Sequence, residues 1–240
     1  ISWPSIVGNG VIMTKISAII PAAGSGNRFG ELKQFKDLAG QPLIFHSVNL
    51  FIRCPIIDEV VVVVQEKYVK PIYHDILSIS AGKPIKSIAG GLNRQDSVQN
   101  GVLATDSENT LVCIHDAARP FVTEDLIITS VSTCEKYDGA IVALPSLDTV
   151  KLSEGEKIKE TIDRKKVWFA QTPQTFQKTK LIQAFNMAKR RNLVVTDEST
   201  LMEHMGFSIG LVKGHANNFK ITTKEDWERA ENLIKWSEQE

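Results

Sequence analysis

Ile16-Ser17-Ala18-Ile19-Ile20-Pro21-Ala22-Ala23-Gly24-Ser25-Gly26-Asn27-Arg28-Phe29-Gly30-Glu31-Leu32-Lys33 is the stretch around which the chain is organised. Its first five residues are a short apolar run that reads as a buried strand. The small residues at 22–26 then let the backbone approach a ligand closely, and successive main-chain N–H groups in such a turn form a nest suited to phosphate. Arg28 and Lys33 add two cations to the same loop, one able to grip two oxygens at once, the other a mobile point charge. No Gly-Lys-Ser/Thr follows, so this is not a Walker loop. Gly24 and Gly26 are not followed by a glycine at 29, so it is not a good dinucleotide fingerprint either.

Outward from this loop the chain alternates. Pro42–Phe51 carries a helical apolar face, and Val60–Val64 is a run of five valines that reads as a central strand buried on both sides. A helix over 68–78, a strand over 84–88, a Gly90-Gly91 break and a helix over 96–104 follow. Next come a strand over 110–115, a helix over 124–137 and a strand over 139–145. This βα alternation predicts an α/β fold with a mostly parallel sheet covered by helices on both faces. Ligands bind such sheets beyond the carboxyl ends of the strands. The Gly-rich loop, Gly90-Gly91 and His115-Asp116-Ala117-Ala118-Arg119-Pro120 all leave strand ends and are expected to converge.

Residues 147–168 break the pattern. Thr149–Leu152 and Lys157–Ile162 flank Ser153-Glu154-Gly155-Glu156 and read as a protruding β-hairpin arm. A lone hairpin is marginal in water, so the arm is expected to pack on a second subunit. Helices near 179–191 and 198–205, a strand over 208–212 and an amphipathic helix over 224–236 complete one domain, 15–146 plus 169–238. Met13-Thr14-Lys15 looks like a natural start, and residues 1–14 are set aside as an added remnant or upstream extension.

The 240 residues carry 28 basic and 28 acidic side chains. No basic stripe stands out, which makes nucleic acid a poor partner. No apolar run reaches membrane-spanning length, and the first residues lack a signal-peptide pattern. Cys54, Cys113 and Cys134 are scattered and without metal spacing, as in a reduced cytoplasmic protein.

Several polar residues admit structural readings. Asp96 or Ser97 would serve as a helix cap, as would Asp197. Asp116 would pair with Arg119, Asp163 with Arg164 at the surface, and His115 would be a buried hydrogen-bonding group. Together, however, one carboxylate at a strand end (Asp116) among the cations Arg28, Lys33, Arg119 and Lys220 is an inventory for nucleotidyl transfer. Mg²⁺ favours a carboxylate plus substrate phosphates over a closed protein cage.

In order, Pro-Ala-Ala-Gly-Ser-Gly-Asn-Arg, Lys-Gln-Phe, Arg-Gln-Asp-Ser-Val, His-Asp-Ala-Ala-Arg-Pro-Phe-Val, Asp-Thr-Val-Lys, Gln-Thr-Pro-Gln-Thr-Phe, Thr-Asp-Glu and Asn-Phe-Lys-Ile-Thr resemble the 2-C-methyl-D-erythritol 4-phosphate cytidylyltransferases from about Lys15 to Ile234. The resemblance implies a Rossmann-like nucleotidyltransferase sheet and transfer of CMP from CTP to the sugar-alcohol phosphate with Mg²⁺. It also implies a homodimer whose arms complete each other's sites. By position, Ala22, Ala23, Gly91 and Ser97 would contact cytosine. Pro21, Gly24 and Ala117 would lie at the ribose, with Gly26 in the same CTP-binding loop. Arg28 and Lys33 would hold the triphosphate, Asp116 the metal and Lys220 the α-phosphate. Arg119, Thr149, Thr196 and, from the partner chain, Arg164 would hold the sugar phosphate. The rival readings are a ribitol-5-phosphate cytidylyltransferase and a non-catalytic nucleotide sensor on the same fold.

Overall fold

In the computed structural model, residues 14–26 and 29–237 are described. The opening apolar run is strand β1, Ile16–Pro21. Two short strands, β2 (Asp37–Leu38) and β3 (Gln41–Pro42), pair antiparallel and lead into helix α1, Leu43–Arg53. The valine run is β4, Glu59–Val64, followed by α2 (Val69–Ile79), β5 (Ile85–Ala89) and α3 (Arg94–Ala104). Then come β6 (Leu111–Ile114), α4 (Glu124–Thr133) and β7 (Gly139–Pro145). The arm is β8 (Val150–Glu154) with β9 (Lys157–Ile162). The chain closes with β10 (Trp168–Gln177), α5 (Lys178–Arg191), α6 (Glu198–His204), β11 (Ile209–Lys213) and α7 (Lys224–Ser237).

Seven of these strands form one sheet in the order β11-β7-β10-β6-β1-β4-β5. β1 pairs in parallel with β4 and β6, β4 with β5, and β11 with β7. The side-chain period of two divides the apolar runs between two cores. Ala18, Ile20, Val60, Val62 and Val64 face α1, α2 and α4 through Ile44, Val48, Phe51, Ile72, Ile76 and Ile127. Ile19, Val61, Val63, Val112 and Ile114 face α3, α5 and α6 through Val98, Val102, Leu181, Phe185 and Leu201. Both faces are therefore dry, which is why β4 tolerates no polar residue among its valines. A third cluster, Phe29, Leu38, Leu43, Ala118, Ile221, Trp227 and Ala230, seats α7 beneath the Gly-rich loop.

The sequence pattern missed β10. It runs antiparallel between β6 and β7, so the sheet is mixed at that point. Its central run, Gln171-Thr172-Pro173-Gln174-Thr175, is buried yet almost wholly polar. Burial of such groups costs free energy unless each is hydrogen-bonded. Thr175 Oγ1 meets Ser130 Oγ at 2.9 Å, Gln174 Nε2 donates to Asp197 Oδ2 at 3.0 Å, and Gln171 Nε2 donates to the His215 carbonyl at 3.1 Å. Pro173 lies where the pairing with β7 shifts register, a place where its missing N–H interrupts no ladder bond.

A second correction concerns α3. Its cap is Asn93, whose side chain accepts from the Asp96 N–H, and both Asp96 and Ser97 lie inside the helix. The expected cap at Asp197 does form, accepting from the Thr200 N–H. Helix α4 stops at Thr133, short of the expected 137.

Phe176 is completely buried opposite Gly139, where a Cβ would come within 2.3 Å of the phenyl ring. Removing that ring leaves a large void that rigid strands cannot close. Phe176→Ala should cost about 3–5 kcal/mol in urea denaturation.

Candidate active site

The carboxyl ends of β1 and β6 and the turn into α3 enclose a pocket of about 480 Å³. The loop after β1 forms one wall, with Pro21, Ala22, Ala23, Gly24 and Gly26 all lining it. Its shape is imposed from outside. Gln34 Nε2 donates to both the Ala22 carbonyl at 3.0 Å and the Gly24 carbonyl at 2.9 Å, while the Ala22 N–H donates to the Val63 carbonyl at 2.7 Å. In a planar trans peptide the N–H points opposite to the preceding C=O, so holding these carbonyls fixes the amide directions of Ala23 and Ser25. Gly26 has φ +72°, and a Cβ there would fall 1.9 Å from the Glu31 carbonyl oxygen, so only glycine fits. Phe29 is buried against Trp227 with ring centroids 5.5 Å apart. Lys33 lines the pocket, its Nζ 5.9 Å from the Phe29 ring centre. Asn27 and Arg28 lie outside the described residues, so the expectation for Arg28 falls there too.

The opposite wall is the turn from β5 into α3. A Cβ on Gly90 would be 2.5 Å from Ala23 Cβ, so the two loops touch at van der Waals limits. Ser97 Oγ accepts from the Gly91 N–H at 3.1 Å and donates to the Asn93 carbonyl at 2.8 Å. It holds the turn in shape, and Gly91 and Ser97 both line the pocket.

Asp116 and Ala117 form the floor. Lys220 Nζ lies 2.9 Å from Asp116 Oδ2, the Arg94 guanidinium 3.3 Å from Oδ1, and Arg119 Nε 3.6 Å from Oδ2. Burial alone would raise the carboxyl's pKa. Lys220, Arg94 and Arg119 override that and hold it well below the usual carboxylate range, so Asp116 is ionised. Burial lowers the pKa of Arg119, with Asp116 opposing.

Arg94 is the residue that sequence reading missed. Besides Asp116 it grips Glu198, with Nη1 2.8 Å from Oε1 and 2.9 Å from Oε2. Glu198 is only 1 % exposed. Burial pushes its carboxyl up, and Arg94 pulls the other way. Both residues sit in motifs visible in the sequence, but nothing local signals that they meet across 104 positions.

Asp116 is aimed by its neighbours. Its N–H donates to Thr172 Oγ1 at 3.1 Å, and that hydroxyl is 3.0 Å from His115 Nδ1. Having accepted from Asp116, the Thr172 hydroxyl is placed to donate to Nδ1, which leaves the proton on Nε2 to donate to the Arg119 carbonyl at 3.0 Å. Burial, abetted by Arg119 and Lys220, pushes His115 down to about 4, so the ring is neutral and structural, as the sequence suggested. Asn218 ties Lys220's segment in: its Nδ2 donates to the Thr172 carbonyl at 2.8 Å, and its own carbonyl accepts from Arg119 Nη1 at 2.8 Å.

The remaining expected residues do not line this pocket. Arg119 is buried behind Asp116, and Thr149, Arg164 and Thr196 are exposed elsewhere. Arg164 Nη1 donates to the Leu147 carbonyl at 2.6 Å. Among the described residues Asp163 does not pair with Arg164; it accepts from the Lys165 N–H, closing a short turn. No group of three metal-binding side chains occurs among the described residues, and no helix there is long and apolar enough to cross a membrane.

A Gly-rich loop, a carboxylate and convergent cations at the strand ends of an α/β sheet define a nucleotidyltransferase. A sequence profile described as "IspD: 2-C-methyl-D-erythritol 4-phosphate cytidylyltransferase" matches residues 16–236. The chain belongs to that family. It is 40% identical to the 2-C-methyl-D-erythritol 4-phosphate cytidylyltransferase of Halalkalibacterium halodurans, covering 91% of this chain and 96% of that one. The same-named protein of Alkaliphilus oremlandii is 35% identical, covering 93% and 96%. Among solved structures, the 4-diphosphocytidyl-2C-methyl-D-erythritol synthase of Anaerococcus prevotii superposes with a TM-score of 0.83 at 31% identity, over 93% of this chain and 99% of that one. The Thermus thermophilus cytidylyltransferase gives 0.77 at 31% identity, over 92% and 100%.

Thr172 is the hinge of the Asp116 mounting. Thr172→Val keeps the shape but strands the Asp116 N–H and His115 Nδ1 in a buried site. A loss of about 1–3 kcal/mol is expected by urea denaturation.

Proposed function

We propose that this protein transfers CMP from CTP to 2-C-methyl-D-erythritol 4-phosphate, releasing pyrophosphate. The observation that carries the reading is the ionised Asp116 held by Lys220, Arg94 and Arg119 on the floor of a pocket whose wall is the Gly-rich loop. A sugar-phosphate oxygen attacks the α-phosphorus of CTP, the new P–O bond forms, and the bond to the bridging oxygen breaks as pyrophosphate leaves. No protein nucleophile is required. The chain's part is positioning and charge.

Pro21, Ala22, Ala23, Gly24, Gly26, Gly91, Ser97 and Ala117 hold CTP, the small residues letting main-chain groups read the cytosine edge at close range. Lys33, with Arg28, holds the triphosphate, and Lys220 meets the charge that develops at the α-phosphate. Asp116 is the residue that would hold Mg²⁺, a fit supported by its being the one carboxylate among the described residues that lines the pocket, since this ion takes its other ligands from phosphates and water. Bound there, the ion would supply charge neutralisation of the triphosphate.

Arg119, Thr149 and Thr196, together with Arg164 of the partner subunit, hold the sugar phosphate. Support for a dimer through residues 147–168 comes from apolar side chains left in solvent on the arm and the adjoining strand: Leu147 is 80% exposed, Ile158 66% and Phe169 57%. Three buried free thiols suit a cytoplasmic setting.

Purified protein with Mg²⁺ should release pyrophosphate from CTP only when methylerythritol phosphate is added. UTP should be a poor substitute. Equal turnover with ribitol 5-phosphate would shift the assignment to that substrate, and CTP binding without release would make the protein a sensor.

Lys220→Ala and Lys33→Ala should each lower kcat by ~10²–10³, as loss of one preorganised donor does elsewhere, with a smaller change in CTP affinity. A rise in KM alone would assign these lysines to uniform binding.

Arg164→Ala subunits mixed with Lys33→Ala subunits should regain activity, because one site of the heterodimer keeps both residues. No recovery after demonstrated subunit exchange would confine the arm to dimerisation.

A further inference from the structure

Five charged side chains meet at the floor of the pocket and just behind it, the cations Arg94, Arg119 and Lys220 and the carboxylates Asp116 and Glu198. Four of them belong to the site just described. Glu198 does not: it touches Arg94 and lies outside the pocket lining. It is nevertheless one of the most deeply buried carboxylates among the described residues. A carboxylate so placed is costly unless paired and hydrogen-bonded. Among the described residues its partner is Arg94 alone, whose Nη1 is shared between both carboxylate oxygens.

Arg94 lines the pocket and stands beside Asp116, with Nε and Nη2 both 3.3 Å from Oδ1. Without a second anchor this guanidinium, on a long side chain at the first turn of α3, would be free to turn onto any phosphate entering the pocket. Glu198 prevents that. It sits at the start of α6, directly after Asp197, whose side chain caps the helix and accepts from Gln174 of β10. The contact therefore joins α3 to α6 and ends on a rigid mount.

We propose, on the functional reading above, that Glu198 is a positioning residue: it locks Arg94 against Asp116 and cancels its charge, so that Arg94 does not add itself to Arg28, Lys33 and Lys220, the cations that meet an incoming nucleotide. Groups that orient a ligand-holding carboxylate or histidine from behind are worth 10–100-fold in activity in other sites.

The test separates orientation from charge. Glu198→Gln keeps the shape and adds one net positive charge. It should lower kcat with Mg²⁺ by ~10–100-fold. In EDTA it should bind CTP more tightly, on the order of fivefold, because a released cation attracts the tetra-anion. The double variant Arg94→Gln/Glu198→Gln restores the original net charge and leaves no unpaired buried charge. It should bind CTP in EDTA within about twofold of the unsubstituted protein while kcat stays low. Melting curves establish that each variant is folded; if Glu198→Gln alone is not, the double variant decides. A residue that only holds the fold together would weaken CTP binding in both variants alongside a lower melting temperature. That result, or a kcat within twofold of the unsubstituted protein in a folded variant, overturns the proposal. If the unsubstituted protein releases no pyrophosphate, the functional reading fails, and the EDTA binding series still decides the role of Glu198.

Discussion

A single carboxylate in a dry place constrains most of this molecule. Asp116 is buried at the end of a central strand, where an isolated ionised group would be forbidden by its desolvation cost. It stays charged because three cations reach it from three separate parts of the chain: Arg94 from the first turn of α3, Arg119 from its own loop, and Lys220 from the segment after β11. Arg94 and Lys220 cannot be delivered before the strands have assembled. The site is thus a readout of the finished sheet.

The same logic explains the loop beside it. A run of small residues has no intrinsic reason to hold one conformation, since glycine-rich backbone loses more freedom on ordering than any other. Its order is imported. Gln34 holds two of its carbonyls, and Phe29 anchors its far end in a cluster with Trp227 of α7. Lys36 adds a cation 5.3 Å from the Phe29 ring centre and 5.0 Å from that of Trp227. The C-terminal helix, far in sequence from the pocket, is therefore part of its foundation.

Much of this was legible in the residues alone. The five valines of β4 read as a strand with two buried faces, and the βα alternation by itself puts the Gly-rich loop, Gly91 and Asp116 at one end of the sheet. Strand β10 was not legible because its buried run is polar; what makes Thr175 and Gln174 tolerable there is Ser130 and Asp197, and no window of sequence contains both halves of such a pair. Arg94 and Glu198 were invisible for the same reason, Glu198 passing for an ordinary acidic residue in a first helical turn. Asn93 out-competed Asp96 as the cap because the residue before the helix, not within it, has the extended backbone a cap requires. Nucleotidyl transfer and its carboxylate were readable in the residues; CTP and the sugar phosphate came from the resemblance.

The placement of the arm has a consequence for how such a protein can change. β7 ends at Pro145, β10 begins at Trp168, and these two residues are paired neighbours in the same antiparallel ladder. Everything between them is an excursion from a hairpin already closed at its base, and among the described residues β8 pairs only with β9. The arm can therefore lengthen, shorten or change its surface without a slip in the register of the main sheet. Insertions and deletions near its tip can accumulate while the strand ends that carry the Gly-rich loop and Asp116 keep their spacing, so the length of the arm is free to drift where the length of a sheet strand is not.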